Sequence, residues 1–209
     1  ALVERELPAA AVVEVVASAA GARAAFAGGA PPRTVIDLGG QLSKWILVDG
    51  GGAIEDFATN GLCAAGAGAF LEQQATRLGL GVDEFGALAA AAADGAVVAG
   101  RCSVFAKSDM IHLQQKGTPL DRIALGVCRA LAGTFFTTVV EGRTLEPPVS
   151  LVGGGAANPG LVRAFVETAG LPPGAVEPAA DPLLAGARGA ALLAEDAPPI
   201  PLAHLAGLD

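Results

Sequence analysis

Thr34-Val35-Ile36-Asp37-Leu38-Gly39-Gly40 is the stretch of this 209-residue sequence that decides the fold. Its β-branched and apolar residues predict a strand, and the paired glycines after it let the backbone turn tightly or approach a ligand. Residues 43–48 and 53–59, separated by a glycine-rich turn, predict two further strands. Together these segments predict a three-stranded meander. Alternation along its second strand predicts a packed Trp45 and a solvent-facing Lys44.

The residues after the meander change from an alternating pattern to a helical one, with apolar positions recurring about every 3.6 residues. The predicted helices cover residues 68–78, 82–93, 104–115 and 120–140, and another precedes the meander at residues 9–25. A strand, a helix, a strand and a helix then follow at residues 149–152, 159–169, 175–177 and 182–194. A hairpin sheet, a block of helices and a β-α-β-α end predict an α/β fold.

Composition and charge indicate a globular protein and exclude several function classes. The sequence is 52% hydrophobic and 16% charged, with a net charge of −8, as in folded domains. Its 13 Lys and Arg residues form no basic run, so we expect no nucleic-acid partner. The apolar stretch at residues 85–100 is interrupted by Asp94, so we expect no membrane partner. Three cysteines without an extracellular disulfide pattern predict a cytoplasmic location.

Two glycine-rich loops are candidates for a nucleotide site. Asp37-Leu38-Gly39-Gly40-Gln41 places a carboxylate at a strand end, where N–H groups can take phosphate oxygens and an acid can hold Mg²⁺ through water. Gly153-Gly154-Gly155-Ala156-Ala157-Asn158 stands between a strand and a helix, which suits close approach of a nucleotide. On its residues alone, each loop could instead be an ordinary turn or βα connection. The sequence has neither a GxxxxGK(S/T) motif nor a dinucleotide fingerprint, which disfavours P-loop and Rossmann folds.

Cys63 and Cys102 each stand just before a predicted helix. A cubane iron–sulfur cluster takes four thiolates, and two cysteines per chain supply four only when two chains meet on a two-fold axis. A helix N-terminus would also favour the negative charge that a cluster gains on reduction. The alternative is that each cysteine is a small buried hydrophobic residue. Cys128 lies on an apolar face of the helix predicted at residues 120–140, so we expect it in the core.

Four motifs, at residues 35–44, 63–72, 102–109 and 153–158, follow one another in a recognisable order. In order and spacing they resemble the BadF/BadG/BcrA/BcrD ATPase family, which includes the activators of 2-hydroxyacyl-CoA dehydratases. The resemblance runs from about Arg33 to Leu193. It implies an actin/Hsp70/sugar-kinase-like (ribonuclease H-like) ATPase half, in a superfamily whose ATP lies in a cleft between two similar α/β halves.

The resemblance also implies a role for individual residues. Asp37 would lie near hydrated Mg²⁺, and Gln41 would orient the attacking water. Cys63 and Cys102 would hold one [4Fe-4S] cluster across a homodimer. In that family ATP hydrolysis drives one low-potential electron into a partner, which implies an acyl-CoA dehydratase or reductase as the acceptor. The residues that would bind ATP are Gly39, Gly40, Gly153, Gly154, Gly155 and Asn158.

The chain departs from the family pattern at several places. Leu42 stands where the family usually has an acid, and Ala67 stands where it usually has threonine. The first phosphate loop of the superfamily has no match in residues 1–32, so we expect the upstream half of the ATPase fold as a partner. We therefore predict a helical lead-in, the end of a preceding domain, over residues 1–32. A C-terminal ATPase domain over residues 33–195 and a tail over residues 196–209 follow.

Two other functions stay open on the sequence. A regulatory or structural domain that has lost hydrolysis would tolerate Leu42 and Ala67. A sugar or small-molecule kinase of the same superfamily is a third possibility. It is disfavoured because the chain shows no acid for a sugar hydroxyl and because a kinase does not need Cys63 and Cys102.

Overall fold

The computed structural model of the chain describes residues 12–26, 29–61, 68–99 and 103–194, and a mixed sheet lies at its centre. The strands are β1 (Thr34–Leu38), β2 (Ser43–Val48), β3 (Ile54–Thr59), β4 (Val149–Val152) and β5 (Val176–Pro178), in the order β3-β2-β1-β4-β5. The antiparallel pairs β1–β2 and β2–β3 confirm the predicted meander. The parallel pairs β1–β4 and β4–β5 join it to the C-terminal part.

The helices follow the predicted pattern closely. In the described part they are α1 (Glu14–Ala25), α2 (Gly68–Arg77), α3 (Val82–Ala91), α4 (Ser103–Gln115), α5 (Leu120–Phe135), α6 (Pro159–Ala169) and α7 (Ala185–Leu193). Helix α1 begins at Glu14, after an extended Val13, and residues 9–11 of the predicted helix lie outside the described residues. A separate 3₁₀ turn, Pro182–Leu184, precedes α7 where one helix was predicted.

Helix α5 ends in a π-helical turn, Phe136–Val140, where a continuous α-helix was predicted. The hydroxyls of Thr134, Thr137 and Thr138 donate to carbonyl oxygens four residues earlier, at 2.8 to 2.9 Å. These bonds compete with the backbone N–H groups for the same carbonyls, which bends helices. Glu141, with φ of 48°, then ends the helix in the left-handed region.

Each face of the sheet carries its own hydrophobic core, because alternate strand residues point to opposite faces. On one face Ile36 and Trp45 pack among the side chains of helices α2 to α6. On the other face Val35 and Ile46 pack against the alanines of α1 and α7. Helix α1 therefore lies on the same sheet as the later strands, while a domain boundary near residue 33 stays a prediction.

Helices α1 and α7 lie with their backbones in contact. A Cβ built on Gly21 would overlap the carbonyl oxygen of Ala185, and one built on Gly189 would overlap that of Ala17. Side chains normally hold helix axes about 8–10 Å apart. Glycine at these two positions leaves no side chain between helices α1 and α7, so their backbones pack directly against each other.

Residues Leu120–Val140 form a helix that could cross a membrane by length and composition alone. The fold buries 67% of its apolar window, and Val127, Cys128 and Phe135 are fully buried. These are the properties of a core helix, and the absence of a membrane partner stays a prediction. The burial of Cys128 among the core residues confirms its predicted position, and this burial raises the pKa of its thiol to about 12.

Candidate functional site

The two glycine-rich loops line one cleft of about 520 Å³. They meet because β1 and β4 are parallel neighbours, so the loops that follow them leave the same edge of the sheet. The start of helix α2, next to the first loop, lines the same cleft. The cleft is lined by Gly40, Gln41, Gly68, Ala69, Leu71, Glu72, Val82, Gly154, Gly155 and Asn158.

The glycines of the two loops fall into two groups. A Cβ on Gly153, whose φ is +84°, would lie 2.6 Å from Oδ1 of Asp37, and one on Gly155 would lie 2.7 Å from Cβ of Leu38. Packing therefore requires these glycines. In contrast, a Cβ on Gly40 would meet no atom of the described residues within 4 Å, and one on Gly154 would meet only a Leu183 methyl, at 3.7 Å. Gly40 and Gly154 leave bare backbone facing the cleft.

Hydrogen bonds fix the loop after β1. The backbone N–H groups of Gly68 and Ala69 donate to the carbonyl oxygens of Gly39 and Gly40, at 2.9 and 2.7 Å. These bonds use the first two donors of helix α2, so those donors are not available to a ligand. Asn60, to which the sequence analysis gave no role, accepts from Ser43 N at 2.6 Å, and its Nδ2 donates to the carbonyl of Gln41 at 3.2 Å.

Asp37 is not among the described residues that line the cleft. Asp37 as a whole is 7% exposed. Oδ2 accepts hydrogen bonds from Ser18 Oγ at 2.8 Å and from Lys44 Nζ at 3.0 Å. No donor among the described residues contacts Oδ1. Hydrogen bonds to Oδ2 thus hold the carboxylate in place, and Oδ1 remains available to a ligand.

Lys44 is buried, so the prediction that it faces solvent is wrong. Helix α1 covers this end of β2, and Glu14 of that helix forms a second ion pair with the ammonium at 3.1 Å. Desolvation lowers the pKa of Lys44, but the Coulombic attraction and hydrogen bond of Asp37, with those of Glu14, outweigh it and raise the pKa overall. The side chain therefore stays cationic at neutral pH.

Three other lining residues differ in how free their side chains are. Gln41 is exposed, and its side chain makes no hydrogen bond with the described residues. Asn158 caps helix α6 by accepting from Leu161 N at 3.0 Å, and its Nδ2 donates to Val82 O at 3.3 Å. Glu72, which the sequence analysis did not select, is exposed and is the only acid lining the cleft in the described ranges.

The predicted cluster ligands, Cys63 and Cys102, lie outside the described residues, as do Ala67 and the predicted tail. Within residues 12–26, 29–61, 68–99 and 103–194, no group of three or more His, Cys, Asp or Glu side chains could hold a metal ion. The roles predicted for both cysteines stay predictions.

A model of the BadF/BadG/BcrA/BcrD ATPase family matches residues 1–194. The chain belongs to this family. The match confirms the resemblance drawn from the four motifs. The fold is that of the actin/Hsp70/sugar-kinase-like ATPases, as predicted.

Known relatives agree with this assignment. An activator of lactoyl-CoA dehydratase from Anaerotignum propionicum is 40% identical over 165 residues, which cover 79% of this chain and 62% of the relative. The activator of 2-hydroxyisocaproyl-CoA dehydratase from Clostridium difficile, solved with bound ADPNP, has a TM-score of 0.81 at 30% identity, covering 88% of this chain and 66% of that one.

The (R)-2-hydroxyglutaryl-CoA dehydratase component A from Acidaminococcus fermentans is a further similar structure. Its TM-score is 0.78 at 31% identity, and the match covers 87% of this chain and 67% of that one. This chain spans less than two thirds of the length of the curated lactoyl-CoA relative, of which it covers 62%.

Proposed function

We propose that the protein is an ATP-dependent activator that donates a low-potential electron to an acyl-CoA dehydratase or reductase in the cytoplasm. The main support for nucleotide binding is the cleft that both glycine loops line. The similar activator that binds ADPNP supports ATP as the nucleotide. Family membership and the lactoyl-CoA dehydratase activator support the choice of partner.

The described residues fit a nucleoside triphosphate with Mg²⁺. Gly40 and Gly154 present bare backbone on two sides of the cleft, so their N–H groups can approach phosphate oxygens closely. One carboxylate oxygen of Asp37, beside the second loop, accepts no hydrogen bond from the described residues, as an outer ligand of a hydrated cation requires. Mg²⁺ bound there would neutralise the charge of the phosphates.

Hydrolysis would depend on position and charge, because phosphoryl transfer to water needs little covalent help from the protein. The two loops would hold the triphosphate, and the side chain of Gln41, which bonds to none of the described residues, would orient the attacking water. Asp37 would keep the cation next to the phosphates. These residues form one wall, so we propose that the upstream half of the ATPase fold supplies the other and excludes bulk water.

Replacing Gly40 by Ala is expected to weaken ADP binding at least about tenfold, because the new methyl group would separate the backbone from a phosphate. The melting temperature should stay within about 1 °C, since the Cβ meets no described atom within 4 Å. Titration with a fluorescent ADP analogue and thermal denaturation measure the two effects. Gly50→Ala, in an equally open turn, is the matched control. Unchanged ADP affinity in Gly40→Ala would contradict this nucleotide site.

We further propose that Cys63 and Cys102 of two chains together hold one [4Fe-4S] cluster. Anaerobic reconstitution should then give about four irons per dimer. Cys63→Ala or Cys102→Ala should abolish the broad visible absorption and weaken dimerisation, because each chain supplies half of the thiolates. Cys128→Ala is the control and should retain the cluster, since this thiol is buried in the core. Iron retained by a Cys63→Ala, Cys102→Ala double variant would refute the assignment.

A regulatory domain that binds nucleotide without hydrolysing it is the second candidate. Leu42, beside Gln41, is 41% exposed where the resemblance leads us to expect an acid. An apolar side chain there supplies neither charge nor a hydrogen bond to the phosphates. A colourless protein that binds ADP but resists iron reconstitution would favour this candidate.

A further inference from the structure

The ammonium of Lys44 lies between two carboxylates on the α1 face of the sheet. Nζ is 3.0 Å from Oδ2 of Asp37 and 3.1 Å from Oε1 of Glu14. The side chains of Lys44 and Asp37 are 4% and 9% exposed. Ser18 Oγ donates to the same Oδ2 at 2.8 Å. A lysine is rarely buried this completely. A buried ion pair does not by itself indicate that the residues stabilise the fold, because removing two charges from water costs free energy.

We propose that Lys44 is a positioning residue of the nucleotide site. Together with Ser18 it occupies Oδ2 of Asp37, so that only Oδ1 is left for the cation that accompanies the nucleotide. Its ammonium also takes the position between Asp37 and Glu14 that a divalent cation would otherwise fill. The protein then accepts Mg²⁺ only together with the phosphates. This inference rests on the proposed function, because it concerns the cation of the same site.

The two oxygens of Asp37 face different surroundings. Oδ2 faces helix α1, where Ser18 and Lys44 donate to it. Oδ1 faces the second glycine loop, since a Cβ on Gly153 would lie 2.6 Å from it. The next residue, Gly154, lines the cleft. A cation held by phosphates at this loop would therefore have Oδ1 as its nearer acceptor, because Oδ2 already accepts two hydrogen bonds.

Charge explains why the lysine would keep free cations out. Without its ammonium, the carboxylates of Asp37 and Glu14 would face one space together with the hydroxyl of Ser18. Carboxylate and hydroxyl oxygens are the ligands that Mg²⁺ and Mn²⁺ prefer. A tethered positive charge at this point neutralises the pair and repels a second cation.

Mn²⁺ binding in the absence of nucleotide tests the proposal, because the EPR signal of the free ion gives its concentration directly. The wild-type protein is expected to bind Mn²⁺ only weakly. Lys44→Met is expected to bind one Mn²⁺ at least about tenfold more tightly, since two carboxylates lose their counter-charge. Adding Asp37→Asn to this variant should remove the new site.

The coupling between metal and nucleotide gives a second readout that a purely structural lysine would not change. In the wild type, Mn²⁺ should tighten ADP binding, and by linkage ADP should tighten Mn²⁺ binding equally. The coupling factor is the ratio of the ADP affinities measured with and without Mn²⁺. Lys44→Met should reduce this factor about tenfold, because in the variant Mn²⁺ is already bound between Asp37 and Glu14, away from the phosphates. Lys44→Gln, which keeps a polar group between the carboxylates, should behave similarly and serves if the methionine variant does not fold.

Equal nucleotide-free Mn²⁺ binding by the wild type and both variants would overturn the proposal. Failure of the wild type to bind ADP would instead reject the proposed function. The Mn²⁺ comparison needs no nucleotide, so these two failures can be told apart.

Discussion

Asp37→Asn is expected to lower ATP hydrolysis by about two to three orders of magnitude when the upstream half of the ATPase fold is present. Asparagine keeps the shape of the side chain but removes the charge that would hold the hydrated cation at Oδ1. Its amide oxygen can take the place of Oδ2 and accept from Ser18 and Lys44. Turnover at saturating Mg²⁺ and ATP is the measurement. Wild-type turnover in the variant would show that the nucleotide's cation lies elsewhere.

Loss of folding must be separated from loss of charge in this experiment. Removing one partner of a buried ion pair leaves the other charge uncompensated, which costs about 3–5 kcal/mol when both are fully buried. Glu14 still pairs with Lys44, so we expect a smaller loss. The double variant Asp37→Asn, Lys44→Met should recover stability but not hydrolysis. Asp83→Asn, on an exposed first turn of helix α3, is the matched control and should leave both unchanged.

Gly189→Ala is expected to be the most destabilising of these substitutions. Its methyl group would overlap the carbonyl oxygen of Ala17, which is backbone and cannot rotate away. Helices α1 and α7 would have to separate, at about 3 kcal/mol, a loss typical of overpacking. For a chain of this size the melting temperature should fall by about 10 °C.

Gly186→Ala on the same helix is the control for that measurement. A Cβ there would approach only Ser18 Oγ, at 4.0 Å. Alanine is the better helix former by about 1 kcal/mol, so this variant should melt at the wild-type temperature or slightly above. Equal melting temperatures for Gly189→Ala and the wild type would show that the backbone contact of α1 with α7 is not maintained in solution.

The secondary structure could be predicted well because its signals are local. The alternation of residues 43–48 and the apolar run at residues 149–152 coincide with β2 and β4. Glycine and proline residues mark most of the boundaries between elements. The π-helical turn at Phe136–Val140 was not predicted. Threonine hydroxyls compete there with backbone N–H groups for the helix carbonyls. The spacing of apolar residues carries no information about this competition.

The candidate site was only partly predictable. Its two glycine loops were selected from their residues, and the order of four motifs was specific enough to identify the family. That both loops line one cleft follows from the parallel pairing of β1 with β4, which are more than one hundred residues apart. The contribution of Glu72 to this cleft likewise depends on where helix α2 lies.

Residue patterns over short distances thus predicted the strands and most of each helix, and the order of the motifs identified the family. The burial of Lys44 and the orientation of the Asp37 carboxylate depended on helix α1 covering this face of the sheet. Contacts between residues distant in the chain set these features, since burial and the local dielectric depend on everything that packs nearby. A lysine on an alternating strand has the same sequence pattern whether its ammonium lies in water or between two carboxylates.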